Sequence, residues 1–319
     1  MSNSDLNVVN ETERPAPAVN REQLLPQFIF VGGSARSGTT LVQKMLCAHS
    51  RICGGPEFDH AVPAMQLFAR MTSQHQLRRQ EFYYSEQELV DRFRYFYASL
   101  FDSLAQRNPR ARFISEKTPA NIAAADQLLR LFPDAFYVNV VRDGRDVVLS
   151  HQKVLKRFKE QQGIKGRRWW REYSVRDVSR KWNADIEQYL ALKNNPHVAD
   201  RVLNVRYEDL VARPREVLQG LMSELGLELE EQLLKPEAIE METLGYSVNV
   251  DGIWYTDGMF GQNLNSLSVS GWKVHLPFPQ MFFATLLQSE NLQKMGYDVS
   301  PVVRRCRGIL DWLRGRKRD

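Results

Sequence analysis

The chain has 319 residues, 43% of them hydrophobic and 25% charged, with a formal net charge of +5. The hydrophobic share is enough for a sizeable core and excludes a disordered chain, and the length leaves room for one large α/β domain or two small ones. The modest basic excess suits anionic ligands, without choosing among nucleotides, nucleic acid and anionic membrane.

Residues 1–26 are polar, with Pro15, Pro17 and Pro26, and read as a flexible tail. The first apolar run, Phe28 to Gly33, is too short and too late for a signal peptide. No stretch approaches the ~20 apolar residues of a membrane span, so a cytoplasmic protein is expected. Gln27 to Val31 is a β-favouring run that fits a buried parallel strand. A glycine-rich loop follows, and then Leu41, Met45 and Leu46 recur at helical spacing. Residues 61–107 read as helical, Glu86 to Leu104 among them. Phe113-Ile114 is a short strand, Ala120 to Phe132 a helix closed by Pro133, and Ala135 to Val141 a second buried strand. A helix starts near Val147, and a basic, aromatic stretch follows that contains Trp169 and Trp170. Val178 to Leu192 reads as a helix, Arg201 to Tyr207 as a strand, and Pro214 opens a helix over Arg215 to Leu225. Residues 243–271 form a long loop before a last helix, Pro279 to Met295. Residues 300–319 are basic with a short apolar face, either a solvated helix or one lying on an anionic membrane. Cys47, Cys53 and Cys306 set no disulfide framework and read as free thiols, and no cluster has zinc-ligand spacing. Alternating strands and helices predict an α/β fold of three α/β/α layers around one parallel sheet, a single domain over 27–299.

Two segments carry chemistry. Gly32-Gly-Ser-Ala-Arg-Ser-Gly-Thr-Thr40 stands between strand and helix. Glycines let backbone N–H groups approach an anion, and a helix N-terminus favours negative charge. Ser37, Thr39 and Thr40 add hydroxyls, and Arg36 a fixed positive charge. The glycine spacing is that of a P-loop, but Thr39 stands where the triphosphate-binding lysine should be. That argues against ordinary ATP or GTP hydrolysis and permits a ligand with a single 5′-phosphate. The second segment puts Arg142 at the carboxyl end of the next strand, where open α/β sheets bind ligands. Ser150, eight residues on, can share that ligand only if the loop folds its helix across the strand end. A surface Arg–Asp cluster is the other reading of Arg142 to Asp146.

Together these segments resemble the sulfotransferases that use 3′-phosphoadenosine 5′-phosphosulfate (PAPS). Gly32 to Thr40 resembles their 5′-phosphosulfate loop, Val141 to Ser150 their 3′-phosphate segment, and Val205-Arg-Tyr-Glu-Asp-Leu210 the strand-end motif of many members. Phe30 to Leu41, Met45-Leu46, Ala48-His49, Glu57 and Leu131 to Ala135 look most like protein-tyrosine sulfotransferases and their bacterial relatives. The resemblance spans residues 27–297 and implies roles by position. Glu57 falls on the catalytic base and Lys117 on the lysine at the leaving phosphate, with Arg36 assisting. Arg36, Ser37, Gly38, Thr39 and Thr40 fall on the 5′ side, and Arg142 and Ser150 on the 3′-phosphate contacts. Tyr207 faces the adenine or supports its strand, and Ser268 to Lys273, with Ser270 and Lys273, looks like the late loop that closes over the nucleotide. Two departures stand out. Pro56 replaces the first of two adjacent acids, and Asp59 replaces an arginine used on acidic peptides. A tyrosine in an acidic peptide is therefore a doubtful acceptor.

The expected function is sulfuryl transfer from PAPS to a hydroxyl of a peptide, saccharide or small molecule. No metal is implied, since there is no phosphoanhydride chelate to hold. The rivals are a P-loop small-molecule kinase and a non-catalytic nucleotide-binding protein of the same fold. No nucleic-acid motif is present. Many animal members of the family are lumenal and membrane-anchored; the acceptor and the oligomeric state stay open, a homodimer included.

Overall fold

The computed structural model describes residues 26–162, 173–236, 244–245 and 268–299. The N-terminal tail to residue 25, the Trp169-Trp170 stretch, most of the loop over 243–271 and the basic C-terminal segment lie outside the described residues. Five parallel strands form one sheet: β1 (Gln27–Gly32), β2 (Ile52–Gly54), β3 (Phe113–Lys117), β4 (Phe136–Val141) and β5 (Val202–Arg206). Their order is β2-β3-β1-β4-β5, and each neighbouring pair runs parallel. From β1 the chain crosses to the edge strand β2, returns to insert β3 between β2 and β1, and then adds β4 and β5 outward on the other side. The reversal falls between β1 and β4, so a ligand crevice is expected beyond their carboxyl ends.

The strands read as continuous apolar runs because both faces are covered. Phe28 and Phe30 of β1 enter one core cluster with Ile114, Tyr137 and Val202. Ile29 and Val31 enter the opposite cluster with Val138, Val140 and Val205. Helix α1 (Thr39–Cys47) covers the second face with Val42, Met45 and Leu46. The first face is covered by α2 (Ala61–Met71) through Met65 and Phe68, with α3 (Gln74–Gln80) following. Helix α4 (Glu86–Ser99) adds Tyr97, and α5 (Asp102–Arg107) continues it. Helix α6 (Ala125–Leu131) adds Leu128, Leu129 and Leu131. Helix α7 (Gly144–Gln162) leaves β4, α8 (Val175–Lys193) packs beside it, and α9 (Tyr207–Ala212) leaves β5. Helix α10 (Pro214–Glu224) supplies Leu218, Leu221 and Met222 to the second face. The short α11 (Trp272–His275) and α12 (Phe278–Lys294) close a third cluster with Val147, Val148 and Trp182.

The expected fold is present, with local corrections. β2 has three residues, too few to show a period, and was not expected. The helical stretch of 61–107 breaks into four helices. Ser85 starts α4 with a reciprocal capping box: its hydroxyl accepts from the Glu88 N–H, and the Glu88 carboxylate accepts from the Ser85 N–H. The expected helix over 120–132 begins as a 3₁₀ turn (Pro119–Ala123), with Ala124 as the break before α6. Cys47 packs against one core cluster and Cys53 within the other, on opposite sheet faces.

Candidate active site

The carboxyl ends of β1, β3, β4 and β5 bring four sequence segments to one edge. After β1 the chain turns through Gly33 and Gly38, at φ +132° and +100°. A Cβ on Gly33 would lie 2.4 Å from the Val140 carbonyl oxygen, and one on Gly38 2.5 Å from the Tyr207 ring. Both glycines are therefore fixed by close approach as well as by dihedral. Among the described residues only three non-glycines have positive φ: Arg36 (74°), Asp59 (58°) and Ser270 (57°). Each sits in a different loop of this edge. Such backbone persists only where the surroundings over-determine it, and it clusters at functional sites.

Arg36 joins the two expected anion sites. Its Nε donates to Ser150 Oγ at 3.2 Å, and its carbonyl accepts from Arg142 Nη1 at 3.2 Å. Ser150, on the helix α7 that starts directly at Gly144 after β4, thus meets Arg36 of the phosphate loop. Arg142 Nη2 donates to the Ser268 carbonyl at 2.6 Å, and the guanidinium lies 4.6 Å over the Tyr207 ring. The Tyr207 hydroxyl and Ser268 Oγ are 2.6 Å apart. Tyr207 thus faces the site and opens α9 rather than ending β5. Ser37 Oγ and Arg142 Nε are buried with no hydrogen-bond partner among the described residues. Buried polar atoms seldom go unpaired, so two such atoms in an anion-shaped cradle fit a phosphate-bearing ligand.

The chemistry sits on the other side of the loop. Lys117 ends β3 fully buried, which overturns the alternative of a solvated loop lysine. Its Nζ donates to Glu57 Oε1 at 2.6 Å and to Thr40 Oγ1 at 3.1 Å. Burial presses its ammonium below the usual lysine range, and Glu57 opposes that shift. Glu57, 29% exposed, lies just past β2. Gln43 of α1 holds the start of its loop, donating to the Gly55 carbonyl at 2.9 Å. Asp59 follows on the exposed rim, and partial desolvation and then the like charge of Glu57 raise its carboxyl above the ordinary range.

The late loop is held by residues that motif reading left among surface acids. Asp146, almost fully buried, accepts from the Ser270 N–H at 2.8 Å and the Trp272 N–H at 2.9 Å. Asp143 accepts from Trp272 Nε1 at 3.1 Å and forms a bidentate pair with Arg145, which stacks 3.8 Å over the Trp272 ring. The Arg–Asp cluster is therefore an internal clamp. Its signal was present in the sequence as acids alternating with arginines, but burial was not. Ser270 reaches the site edge. Lys273 is exposed and lines a cavity of about 240 Å³ beside Trp272. His49 Nε2 meets the Glu228 carbonyl oxygen at 3.0 Å, a structural role. Among the described residues no three His, Cys, Asp or Glu side chains gather as a metal site.

Residues 26–231 match the Sulfotransferase family. The chain belongs to the sulfotransferase family. This sulfotransferase is 28% identical over 257 residues to protein-tyrosine sulfotransferase 2 of Gallus gallus, covering 78% of this chain and 64% of that one. It is 26% identical over 274 residues to protein-tyrosine sulfotransferase 1 of Danio rerio, covering 85% and 72%. The chain thus spans somewhat under two thirds of the chicken enzyme and more of the zebrafish one. The sulfotransferase domain of the Synechococcus PCC 7002 olefin synthase has the same fold, with a TM-score of 0.58 at 21% identity over 86% of this chain and 97% of that domain. Sulfuryl transfer with PAPS as co-substrate is the activity of the family. The cytoplasmic placement expected above does not stand. The curated relatives are animal protein-tyrosine sulfotransferases, which are Golgi membrane-resident. No described helix is long and apolar enough to cross a membrane, and a missing span does not define a compartment.

Proposed function

We propose that this sulfotransferase uses Glu57 as the base and Lys117 as the cation at the leaving phosphate. The supporting observation is the buried Lys117 ammonium, which links the Glu57 carboxylate to Thr40 of the phosphate loop. Glu57 takes the proton of the acceptor hydroxyl as its oxygen bonds to sulfur. Lys117 stabilises the charge that develops as the bond between sulfur and the phosphate oxygen breaks. Arg36 adds a second positive charge, fixed between the two anion sites by Ser150 and Arg142. Ser37, Gly38, Thr39 and Thr40 hold the 5′ side. Arg142, Ser150 and Tyr207 hold the 3′-phosphate end, and the loop through Ser270 and Lys273 covers the nucleotide.

The acceptor in this reading is a neutral or cationic hydroxyl compound. Asp59 is exposed two residues beyond the base, where it repels an acidic peptide. Calorimetry with 3′-phosphoadenosine 5′-phosphate (PAP), without magnesium, tests the donor site. Binding should exceed that of 5′-AMP and ATP and depend on Arg142. Turnover of a neutral phenol should exceed that of an acidic tyrosine peptide, and Asp59→Arg should reverse the order. Equal affinity for ATP, or binding only with magnesium, would return the kinase reading.

A further inference from the structure

Glu116 is a buried carboxylate, 2% exposed, that the chemistry above does not use. It precedes Lys117 on β3, so it points to the opposite face of the sheet. Its Oε1 accepts from Thr118 Oγ1 at 2.7 Å and its Oε2 from Asn121 Nδ2 at 2.5 Å. Thr118 Oγ1 in turn accepts the N–H of Asp59 at 3.3 Å. The Asp59 amide, two residues past Glu57, is therefore hung from the Glu116 carboxylate through the Thr118 hydroxyl.

We infer that Glu116, through Thr118, is the positioning residue of the base loop, setting where the Glu57 carboxylate meets Lys117 and the acceptor. The inference rests on Glu57 being the base. Three observations support it. Asp59 is held at φ 58°, a conformation that a non-glycine residue keeps only when tethered. β2, which carries the loop, has three residues and pairs only with β3, so the sheet restrains it weakly. Burying an ionised carboxylate is costly unless donors surround it, and burial drives Glu116 up to about 7. The two donors around it, Thr118 and Asn121, form a built anchor rather than a stray charge.

A glutamine at 116 would offer one acceptor oxygen and place an NH₂ against groups that also donate. The test uses the full chain with Glu116→Gln, Thr118→Val and Thr118→Ser. Two readouts are taken: amide hydrogen exchange across 55–60, and kcat and KM with PAPS and 4-nitrophenol. Glu116→Gln and Thr118→Val should speed exchange at 59 by at least ~10-fold. They should lower kcat ~10–100-fold, as sub-ångström misplacement of a base does, and leave KM for PAPS and PAP affinity within ~3-fold. Thr118→Ser should restore both readouts. Unchanged exchange at 59 in both disruptive variants overturns the proposal. So does a loss of exchange protection throughout the chain with PAP affinity falling in parallel, which marks plain destabilisation. Failure of the base assignment looks different: Glu57→Gln turns over normally while the exchange effect persists.

Discussion

The two halves of the proposed site, one for the nucleotide and one for the acceptor, are built by different means. The nucleotide half is made of backbone at strand ends. Gly33 and Gly38 are pressed against Val140 and Tyr207, and Arg142, Arg36 and Ser150 close a chain of bonds across β1, β4 and α7. The acceptor half hangs on a three-residue edge strand and is held by side chains from Gln43, Thr118 and Glu116. Phosphate binding tolerates fixed, repeated geometry because every nucleotide presents the same groups. Acceptors differ, and their half sits where the sheet restrains the chain least.

The contrast yields graded expectations. Glu57→Gln should lower kcat by ~10²–10⁴-fold with PAP affinity unchanged, since a general base acts only in the chemical step. Rapid-quench turnover beside calorimetry checks it, and parallel losses would erase the distinction between halves. Arg142→Ala should weaken PAP by ~10²-fold and leave 5′-AMP unchanged, read by the same calorimetry. Gly38→Ala strains a left-handed position and drives a methyl into Tyr207. It should lower PAP affinity ~10-fold and Tm by several degrees, measured by thermal shift with and without nucleotide.

Acid should act on the halves with opposite sign. Burial lowers His151, on α7 beside Tyr173, Arg36 and Lys181, to about 4. The unfolded chain then binds the extra proton. The stability from its neutral ring is whole above ~6.5 and is lost as pH falls toward 4. Glu116 takes up its proton more readily folded than unfolded, so its contribution rises as pH falls from about 7. His151→Gln should therefore shrink the fall in Tm between pH 7.5 and 5 by about 2–4 °C, and Glu116→Gln should enlarge it. The smallest effect expected is that of Arg215→Ala. Its bidentate partner Glu231 is as exposed as itself, and Tm should move by less than ~1 °C.

The sequence showed the nucleotide half because its requirements are local. Glycines, an arginine and hydroxyls stand within nine residues of a strand end, and Arg142 marks the next one. The strands were legible because residues such as Ile29 and Phe30 are buried on both faces. Glu57 and Lys117 were singled out by resemblance, and their 2.6 Å pairing across 60 residues has no local signal. Glu116, Asp143 and Asp146 were missed because a carboxylate in a string of letters looks solvated, and only the folded chain shows the donors that surround it. β2 was missed because three residues cannot display a period.

The short edge strand also bears on how such enzymes could be re-purposed. Residues 52–60 form a cassette at the rim of the sheet, where β2 pairs with β3, and in the proposed reading they carry the base and the acid that faces the acceptor. Transplanting a relative's acceptor preference into this chain would mean moving that cassette together with its three distant moorings at positions 43, 116 and 118. A graft of the nine residues alone would arrive with the right side chains and nothing to hold them.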